Sequence, residues 1–377
     1  MSYRRTAAIA RKELLHIVRD RRSLGLALAL PLVLLLLFGY ALSLDVDRIP
    51  TVIYDQDRTP ESRELVQRFE GSRYFSILGV VDNYRAIERG IDRDRVLLAV
   101  VIPKDYARNL ANGTGTEVQL LLDGSDSNTA SIARGYAESV VQTHAAALRA
   151  EGQNRKTGIS TPPPVEARVR IWYNSELKSR NYIVPGLIAV TLMIIAALLT
   201  SLTIAREWET GAMEQLLSTP VRPAELALGK IAAYFLLGAT DMFTALTAGV
   251  FIFGVPIRGS VVFLIFTSCL FTFGALSWGV LLSALTRNQT MAFQLGMVSS
   301  FLPAFLLSGF VYSIENMPGV IQVITHIVPA RYFVTILKGV CLKGAGMEIL
   351  WTEVLFLFLY AGVVFLITTR TLRQKVA

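Results

Sequence analysis

A short polar segment between two apolar ones, residues 206–220, carries the residue types best suited to binding a partner; it reads REWETGAMEQLLSTP. The side chains that matter are Glu207, Glu209, Glu214, Trp208 and Met213. Their spacing predicts a short amphipathic helix that offers negative charge and apolar surface to a partner and ends at the following prolines. An ordinary loop at a membrane interface has a similar composition, so both interpretations stay open.

A second position with unusual chemistry is Asp241, which lies inside an apolar segment. An acid in a membrane span costs on the order of 2.5–3.5 kcal/mol. This free-energy cost favours a role for Asp241 in a polar translocation path or a proton relay. A partner inside the helix bundle, or a depth near the outer interface, explains it equally well. The neighbouring hydroxyls of Thr240, Thr244 and Thr247 are expected to bond to their own helix backbone.

The sequence contains no set of residues that points to catalysis or metal binding. Cys269 and Cys341, the two cysteines, sit in or beside apolar segments and lack metal-ligand spacing, so we expect buried small side chains. His326 is expected at the surface near lipid headgroups, with a pH sensor as the alternative. Four acids, at strand ends and turns, are expected to be turn and cap residues. They are Asp55, Asp57, Asp123 and Asp126.

The composition indicates a membrane protein: 53% of the 377 residues are hydrophobic and 18% are charged. Apolar residues gather in blocks of about 20, the length of a membrane-spanning helix. Residues 45–180 carry equal numbers of basic and acidic residues, so the net charge of +8 belongs to the membrane part. That distribution is a topology signal, and we expect no nucleic-acid partner.

Six spans are predicted, with both termini inside because the short basic segments then all face the cytoplasm. The spans are residues 24–44, 182–204, 226–253, 261–285, 291–312 and 349–368. Before the first span, residues 1–22 are predicted to form an interfacial helix on the inner leaflet, with Ala7, Ala10, Leu14, Ile17 and Val18 on one face. The first span, residues 23–44 with its flanks, exceeds a cleavable signal, so we expect it to stay uncleaved.

Residues 45–180 predict one extracytoplasmic α/β domain. Strands are expected at residues 51–54, 75–81, 96–102, 118–122 and 165–172. Helices are expected at residues 60–69, with Thr59 as N-cap, and at residues 127–150. A polar, proline-rich linker follows at residues 151–164. The predicted fold is therefore a polytopic α-helical membrane protein with six helices, one before and five after an inserted α/β domain.

Several motifs resemble those of type 2 ABC exporter permeases. The segment 206–220 resembles that family's signature S-x-x-R-E-x-E-x-G-T-x-E-x-L-L-x-T-P, with Ala212 where threonine is common. Further matches span nearly the whole chain: KEL at residues 12–14, RD at 19–20, LFGYAL at 37–42, WYNSELKSRNYIVPG at 172–186, LSGF at 307–310 and ENMP at 315–318. The order of one span, a large external domain and five spans resembles the drug-efflux subgroup.

The resemblance implies a half-transporter that dimerises with a second copy or a paralogue and contacts a separate ABC ATPase. The chain has no G-x-x-x-x-G-K-[ST] loop, so ATP and Mg are expected on that partner and no cofactor in this chain. The implied ATPase-coupling residues are Arg206, Glu207, Trp208, Glu209, Gly211 and Glu214 in a cytoplasmic coupling loop, residues 205–224, with Lys12, Glu13 and Arg19 as a second contact. The expected translocation path includes Asp241, Asn181 and Pro303.

The resemblance also suggests a re-entrant or interfacial external segment at residues 313–348, within the five-helix domain of residues 181–377. We therefore expect an inner-membrane permease that exports a small drug-like or hydrophobic molecule, with a lipid or polymer as the alternative cargo. The external domain is expected to extend or gate the exit path, or to meet a periplasmic adaptor. The rival function is a membrane-anchored sensor or scaffold whose external domain binds a signal.

Overall fold

A computed structural model describes residues 2–41, 48–157, 173 and 178–376. Its α-helices are α1 Tyr3–Arg19, α2 Arg21–Ala41, α3 Pro60–Glu70, α4 Tyr84–Ile91, α5 Tyr106–Asn112, α6 Ser127–Thr157, α7 Ser179–Ser201, α8 Thr203–Glu209, α9 Ala212–Leu217, α10 Pro223–Phe251, α11 Val261–Thr286, α12 Gln289–Leu307, α13 Gly319–Thr325, α14 Pro329–Lys338 and α15 Met347–Val376. Its strands are β1 Ile49–Asp55, β2 Phe75–Val80, β3 Leu98–Ile102 and β4 Gln119–Leu122. Two compact units result: Met1–Ser43 with Ile171–Ala377, and Leu44–Arg170.

The first unit is a bundle of long apolar helices. In the described part of the chain, six helices are long and apolar enough to cross a membrane: Leu24–Ala41, Ser179–Glu209, Pro223–Phe251, Val261–Thr286, Gln289–Leu307 and Met347–Arg373. The prediction of a polytopic helical membrane protein with six spans and an inserted mixed domain is confirmed. The second span was predicted to end at residue 204, but it continues through α8 to Glu209. The polar segment that begins at residue 206 therefore starts as part of this span's helix.

Between α12 and α15 the chain forms a bent pair of helices. α13 meets α14, which continues into a π-helix at Gly339–Lys343, at an angle of 85°. By length and composition the pair is a broken span or a re-entrant loop. Arg331 holds the bend, because its guanidinium donates to the carbonyl of Gln322 (3.3 Å) and contacts Nδ1 of His326 (3.0 Å). The exposed His326 is thus part of this bend.

α7 is the most buried of the described spans, and small residues let α11 pack closely against it and against α15. A Cβ on Gly274 would lie 3.2 Å from Cδ1 of Tyr360 in α15, and one on Gly279 would clash with Thr200 and Ala197 of α7. Thr200 also donates to the carbonyl of Leu276 (3.0 Å). Of the cysteines, Cys341 is buried as expected, whereas Cys269 is half-buried.

The second unit is a four-stranded sheet in the order β2-β1-β3-β4. β1 pairs in parallel with β2 and β3, and β3 pairs antiparallel with β4. The continuous apolar run of β3 is buried along its whole length, as predicted for a strand covered on both faces. α3 and α6 cover one face, where Phe69 and Ala133 are buried, and Ile87 of α4 packs on the other.

Local signals predicted most of this unit correctly. Thr59 caps α3, and its hydroxyl accepts from the amide of Ser62 (3.3 Å). Asp55 is a turn residue, as predicted, because its carboxylate accepts from the amides of Asp57 and Arg58 (3.0 Å each). Asp123 accepts from the amide of Ser125, and this bond lowers the pKa of its carboxyl.

Other local predictions were incomplete. The short helices α4 and α5 were missed, and α6 continues to Thr157, through part of the predicted linker. The amphipathic pattern of α4 spans only two turns, too few to outweigh its polar composition. The predicted strand at residues 165–172 and the rest of the linker lie outside the described residues.

Candidate functional site

α1 is held along the first turns of α10. Where the helices cross, Gly229 leaves so little room that a Cβ would lie 2.7 Å from Cβ of Ile9. One turn earlier, Glu225 accepts from the amide of Ser2 (2.6 Å) and pairs with Arg5 (3.7 Å). Close backbone approach and buried polar contacts therefore join the two helices, rather than a broad apolar face.

A buried charge cluster joins three helices near the end of this contact. It consists of Lys12 and Glu13 of α1, Glu207 of α8 and Lys230 of α10. Nζ of Lys230 lies 2.9 Å from Oε1 of Glu13 and 3.0 Å from Oε2 of Glu207, and Nζ of Lys12 lies 3.0 Å from Oε1 of Glu207. Lys230 is fully buried, and Glu13 and Glu207 are 6% and 7% exposed. Two ammonium groups face two carboxylates, so the cluster is neutral as a whole.

The half-exposed Lys12 completes this neutrality. Burial lowers its pKa, but the hydrogen bond to Glu207 and the charges of Glu207 and Glu13 raise it by more, so the net pKa lies above the usual value for lysine. Lys12 therefore stays protonated at neutral pH and keeps the second carboxylate compensated.

α8 is also joined to the turn between α11 and α12. The hydroxyl of Ser283 in α11 accepts from the amides of Ile204 and Ala205 (2.9 Å each), at the junction of α7 and α8. At the other end of α8, Glu209 accepts from the amide of Gln289 (2.8 Å), the first residue of α12. The guanidinium of Arg287 lies 4.4 Å from the centre of the Trp208 ring. These contacts place α8 where α1, α10 and the α11–α12 turn meet.

After α8 the chain bends sharply into α9. Gly211 occupies the bend with φ +72°, a backbone region that residues with a Cβ adopt at a cost. Met213 turns inward and is fully buried, whereas Gly211 and Glu214 are exposed. Residues 209–219, here called the exposed bend, thus present mostly polar surface while Met213 anchors them.

The structure divides the nine residues predicted to couple to a partner. Glu207 and Glu13 are buried in the charge cluster, with Lys12 at its edge, and Trp208 is half-buried under Arg287. The remaining five are exposed: Arg206, Glu209, Gly211, Glu214 and Arg19. Arg206 contacts Gln289 and His16, and Arg19 lies two helical turns beyond Lys12 at the end of α1.

Three residues of this junction were missed as site residues: Lys230, Glu225 and Gly229. A signal existed for Lys230, because a lysine two turns inside an apolar span requires a partner. No sequence pattern identified Glu13 and Glu207 as those partners, because they lie 217 and 23 residues away. The predicted apolar stripe of α1 is not the face that meets α10; Ala7 and Val18 are exposed, and Ile9 and Glu13 are buried.

The three residues predicted for a translocation path lie on different helices. Asp241 is 1% exposed in the interior of α10, Asn181 is half-buried in the first turn of α7, and Pro303 is half-buried within α12. Thr240 and Thr244 donate to carbonyls of their own helix, as expected (3.0 and 2.9 Å). Among the described residues, Asp241 has no hydrogen-bond partner, which disfavours a pairing inside the bundle.

Comparison with known proteins gives consistent matches over almost the whole chain. Residues 21–370 match the family described as ABC-2 family transporter protein. The chain is 37% identical to the probable multidrug ABC transporter permease YbhS of Escherichia coli K12, over 99% of this chain and 98% of that protein. It is 32% identical to the probable multidrug ABC transporter permease YbhR of the same strain, over 93% of both. It is 26% identical to the inner membrane transport permease YhhJ, also of that strain, over 87% of this chain and 86% of that protein.

Proposed function

This chain belongs to the ABC-2 transporter family as a membrane permease subunit of an ABC transporter, and we propose that it forms half of an exporter driven by a separate ATPase. The observation that carries the proposal is the charge cluster. It fastens α8 to α1 and α10 while the exposed bend after α8 remains free to meet another protein.

The exposed bend is the proposed contact for the ATPase, through Glu209, Gly211 and Glu214. The charge cluster has a different role, because it couples a displacement of the exposed bend to α8, α1 and α10 together. Breaking the contacts of a buried ion pair costs several kcal/mol, so the three helices respond as one body. Glu207 and Glu13 are therefore positioning residues in this proposal, and Arg206 and Trp208 orient α8 against the α11–α12 turn.

ATP and Mg²⁺ are proposed to bind the partner ATPase, since this chain carries no phosphate-binding loop of the P-loop type. The second permease subunit is proposed to be another copy or a related chain. α2 and α12 support such an assembly, because only 17% and 22% of their most apolar 18-residue stretches are buried within the described structure. The remainder is left for lipid and for the second subunit.

The proposed location is the inner membrane with both termini in the cytoplasm, which places the charge cluster and the exposed bend on the ATPase side. The α/β unit then lies outside, where it extends the exit path or meets a periplasmic adaptor. The relatives named as multidrug permeases support a drug-like or hydrophobic cargo. A membrane-anchored sensor is not favoured, because the relatives over the whole chain are permeases.

The first test is to tag this chain in its native host, solubilise the membranes gently and identify the proteins that co-purify. We expect a soluble ATPase with a phosphate-binding loop in near-equal amount, together with a second permease chain. If no ATPase co-purifies, and candidate ATPases added to the purified chain show no ATP turnover, the exporter proposal is wrong.

A matched pair of variants locates the contact. Glu214→Lys reverses an exposed charge on the bend, and Glu315→Lys makes the same change at an exposed site in the segment between α12 and α13. We expect Glu214→Lys to lose the co-purifying ATPase and Glu315→Lys to retain it. Equal retention by both variants would place the ATPase elsewhere, and loss by Glu315→Lys alone would reverse the proposed orientation.

A further inference from the structure

Two polar side chains in the middle of the bundle lack the partners that buried groups normally have. Asp241 in α10 is 1% exposed, and neither of its carboxylate oxygens has a hydrogen-bond partner among the described residues. Thr272 in α11 is 2% exposed, and its hydroxyl is likewise without a partner in the described part of the chain. Buried polar groups are almost always bonded, so this pair requires an explanation.

The two side chains belong to one helix contact. A Cβ on Gly238 would lie 2.9 Å from the methyl carbon of Thr272, so α10 and α11 approach closely at that level. Asp241 follows Gly238 by three residues and therefore lies on the same face of α10, one turn further on. Further along the same face, Gly249 approaches Ile188 of α7 (3.1 Å). Asp241 therefore lies on the side of α10 that packs against α11 and α7.

The depth of the contact is near the middle of the membrane. α10 ends ten residues after Asp241, about 15 Å along the helix, and α11 begins eleven residues before Thr272, about 17 Å. Both values are close to half the thickness of the hydrocarbon layer, about 30 Å. The outer-interface alternative for Asp241 is therefore not supported by its position in the helix.

In the part of the chain that the structure describes, the helices around Asp241 offer no countercharge at this depth. Residues 183–201 of α7 contain no ionisable side chain, and α11 contributes only Cys269. α15 contributes Tyr360 beside Gly274, while its charged residues lie towards its two ends: Glu348, Glu353, Arg370, Arg373 and Lys375. α2 contributes Tyr40 near its external end, where its ring lies tilted against that of Phe253, with the ring centres 5.1 Å apart. The charges of α1 and Lys230 lie at the cytoplasmic end of α10, where Lys230 is paired within the charge cluster.

We propose that Asp241 and Thr272 form a proton-binding site, in which the carboxyl of Asp241 carries a bound proton in this arrangement of α10 and α11. An ionised carboxylate without a countercharge is unstable in apolar surroundings, and a proton is the ligand that neutralises it without further donors. A metal ion does not fit, because Ca²⁺ takes six to eight oxygens and Mg²⁺ near-ideal octahedral coordination, whereas the described residues leave one carboxyl and one hydroxyl unpartnered at this level.

Thr272 supplies the second half of the site. Once a water molecule has entered and taken the proton, a small shift of α10 against α11 would let the free hydroxyl donate to the carboxylate. Thr272 therefore acts as a positioning residue that eases release of the proton. The inference depends on burial and missing partners and not on the transported molecule or the ATPase, so it stands or falls separately from the proposed function.

The test is infrared spectroscopy of the full chain in lipid nanodiscs at neutral pH. A protonated carboxyl has a carbonyl band well separated from the bands of an ionised carboxylate. We expect such a band in the wild type, shifted in D₂O and absent in Asp241→Asn. If the wild type and Asp241→Asn show no difference in this region at neutral pH, Asp241 is ionised and the proposal is overturned.

Two further measurements keep the test decisive. If Asp241→Asn fails to accumulate, ¹³C labelling of the aspartate carboxyls identifies the same band in the wild type. The carbonyl band of a protonated aspartate at neutral pH shifts with the label. An unshifted band overturns the proposal. Thr272→Val should raise the pH at which the band disappears by about one unit, since the ionised form loses a hydrogen bond. An unchanged pH would remove Thr272 from the site.

Discussion

Two buried polar sites on α10, about eleven residues apart, are satisfied in opposite ways. At the charge cluster, Lys230 is enclosed by the carboxylates of Glu13 and Glu207, which come from two other helices. At the second site, neither the carboxylate of Asp241 in α10 nor the hydroxyl of Thr272 in α11 has a hydrogen-bond partner among the described residues. The charge cluster contains two positive and two negative groups that neutralise one another. The second site contains one acid and no countercharge among the described residues.

The difference lies in what each arrangement can do. Paired charges from three helices hold those helices in one geometry, because separating them leaves a charge buried alone. An unpaired acid holds nothing together, but it can gain and lose a proton as its surroundings change. One end of α10 is therefore built for mechanical connection and its middle for a change of protonation.

The largest effect should come from Lys230→Met. It leaves the carboxylates of Glu13 and Glu207 without their buried partner, and we expect a loss of about 3–5 kcal/mol in the free energy of unfolding. Unfolding by SDS in mixed micelles measures it. The triple variant Glu13→Gln, Glu207→Gln, Lys230→Met should recover most of that loss, since no buried charge is left unpaired. Unchanged stability of the single variant would contradict the structural role of the cluster.

The same chemical change at the two sites separates them directly. Glu207→Gln removes a carboxylate that binds Lys230, and we expect a loss of about 1.5–3 kcal/mol, typical of a charged hydrogen bond. Asp241→Asn replaces a neutral acid by an amide of similar shape and should cost less than about 1 kcal/mol. Both are measured by the same SDS titration. Equal losses would show that the two acids are in the same charge state.

Crowding the α1–α10 crossing should have an intermediate effect. In Gly229→Ala the new methyl would meet Ile9 at 2.7 Å and the carbonyl of Thr6 at 3.1 Å. Overpacking of this kind costs about 1–3 kcal/mol and should expose α1 to proteolysis. The control is Gly362→Ala in α15, which has open space around it and should be neutral or stabilising by up to about 1 kcal/mol. Protease resistance of the Gly229 variant equal to the control would argue against a tight crossing.

A small change in stability should come from the bend itself. Gly211→Ala forces an L residue into a left-handed conformation at φ +72°, which costs about 1 kcal/mol. The backbone relieves this strain by moving the exposed bend, so stimulation of the ATPase should fall more than stability does. Gly346→Ala, at a site with open space before α15, serves as the control. Full ATPase stimulation in the Gly211 variant would show that the bend geometry is not needed.

The choice between the acids near the bend matters for any test of partner binding. Glu207 and Glu209 look equivalent in the sequence, yet one is buried against Lys230 and the other caps the start of α12. Removing Glu207 therefore disturbs the bundle as well as any partner contact. Glu214, exposed and on the bend, reports the partner contact more cleanly.

Much of the fold followed from local signals. Apolar blocks of spanning length predicted six membrane helices, and the buried run of β3 and the capped start of α3 predicted the sheet and its first crossover. The end of α6 and the helices α4 and α5 did not follow, because short or polar helices depend on packing rather than on their own pattern.

The sequence by itself determined that this chain crosses a membrane several times, that residues 206–220 carry a conspicuous set of charges, and that Asp241 lies in an apolar span. Each of these depends on residues close together in the chain. Only the tertiary structure decided that Glu207 faces inward to Lys230, that Glu214 faces outward, and that Asp241 is buried without a hydrogen bond among the described residues. Partners 23 and 217 residues apart are selected by how helices pack, and packing is a property of the whole bundle.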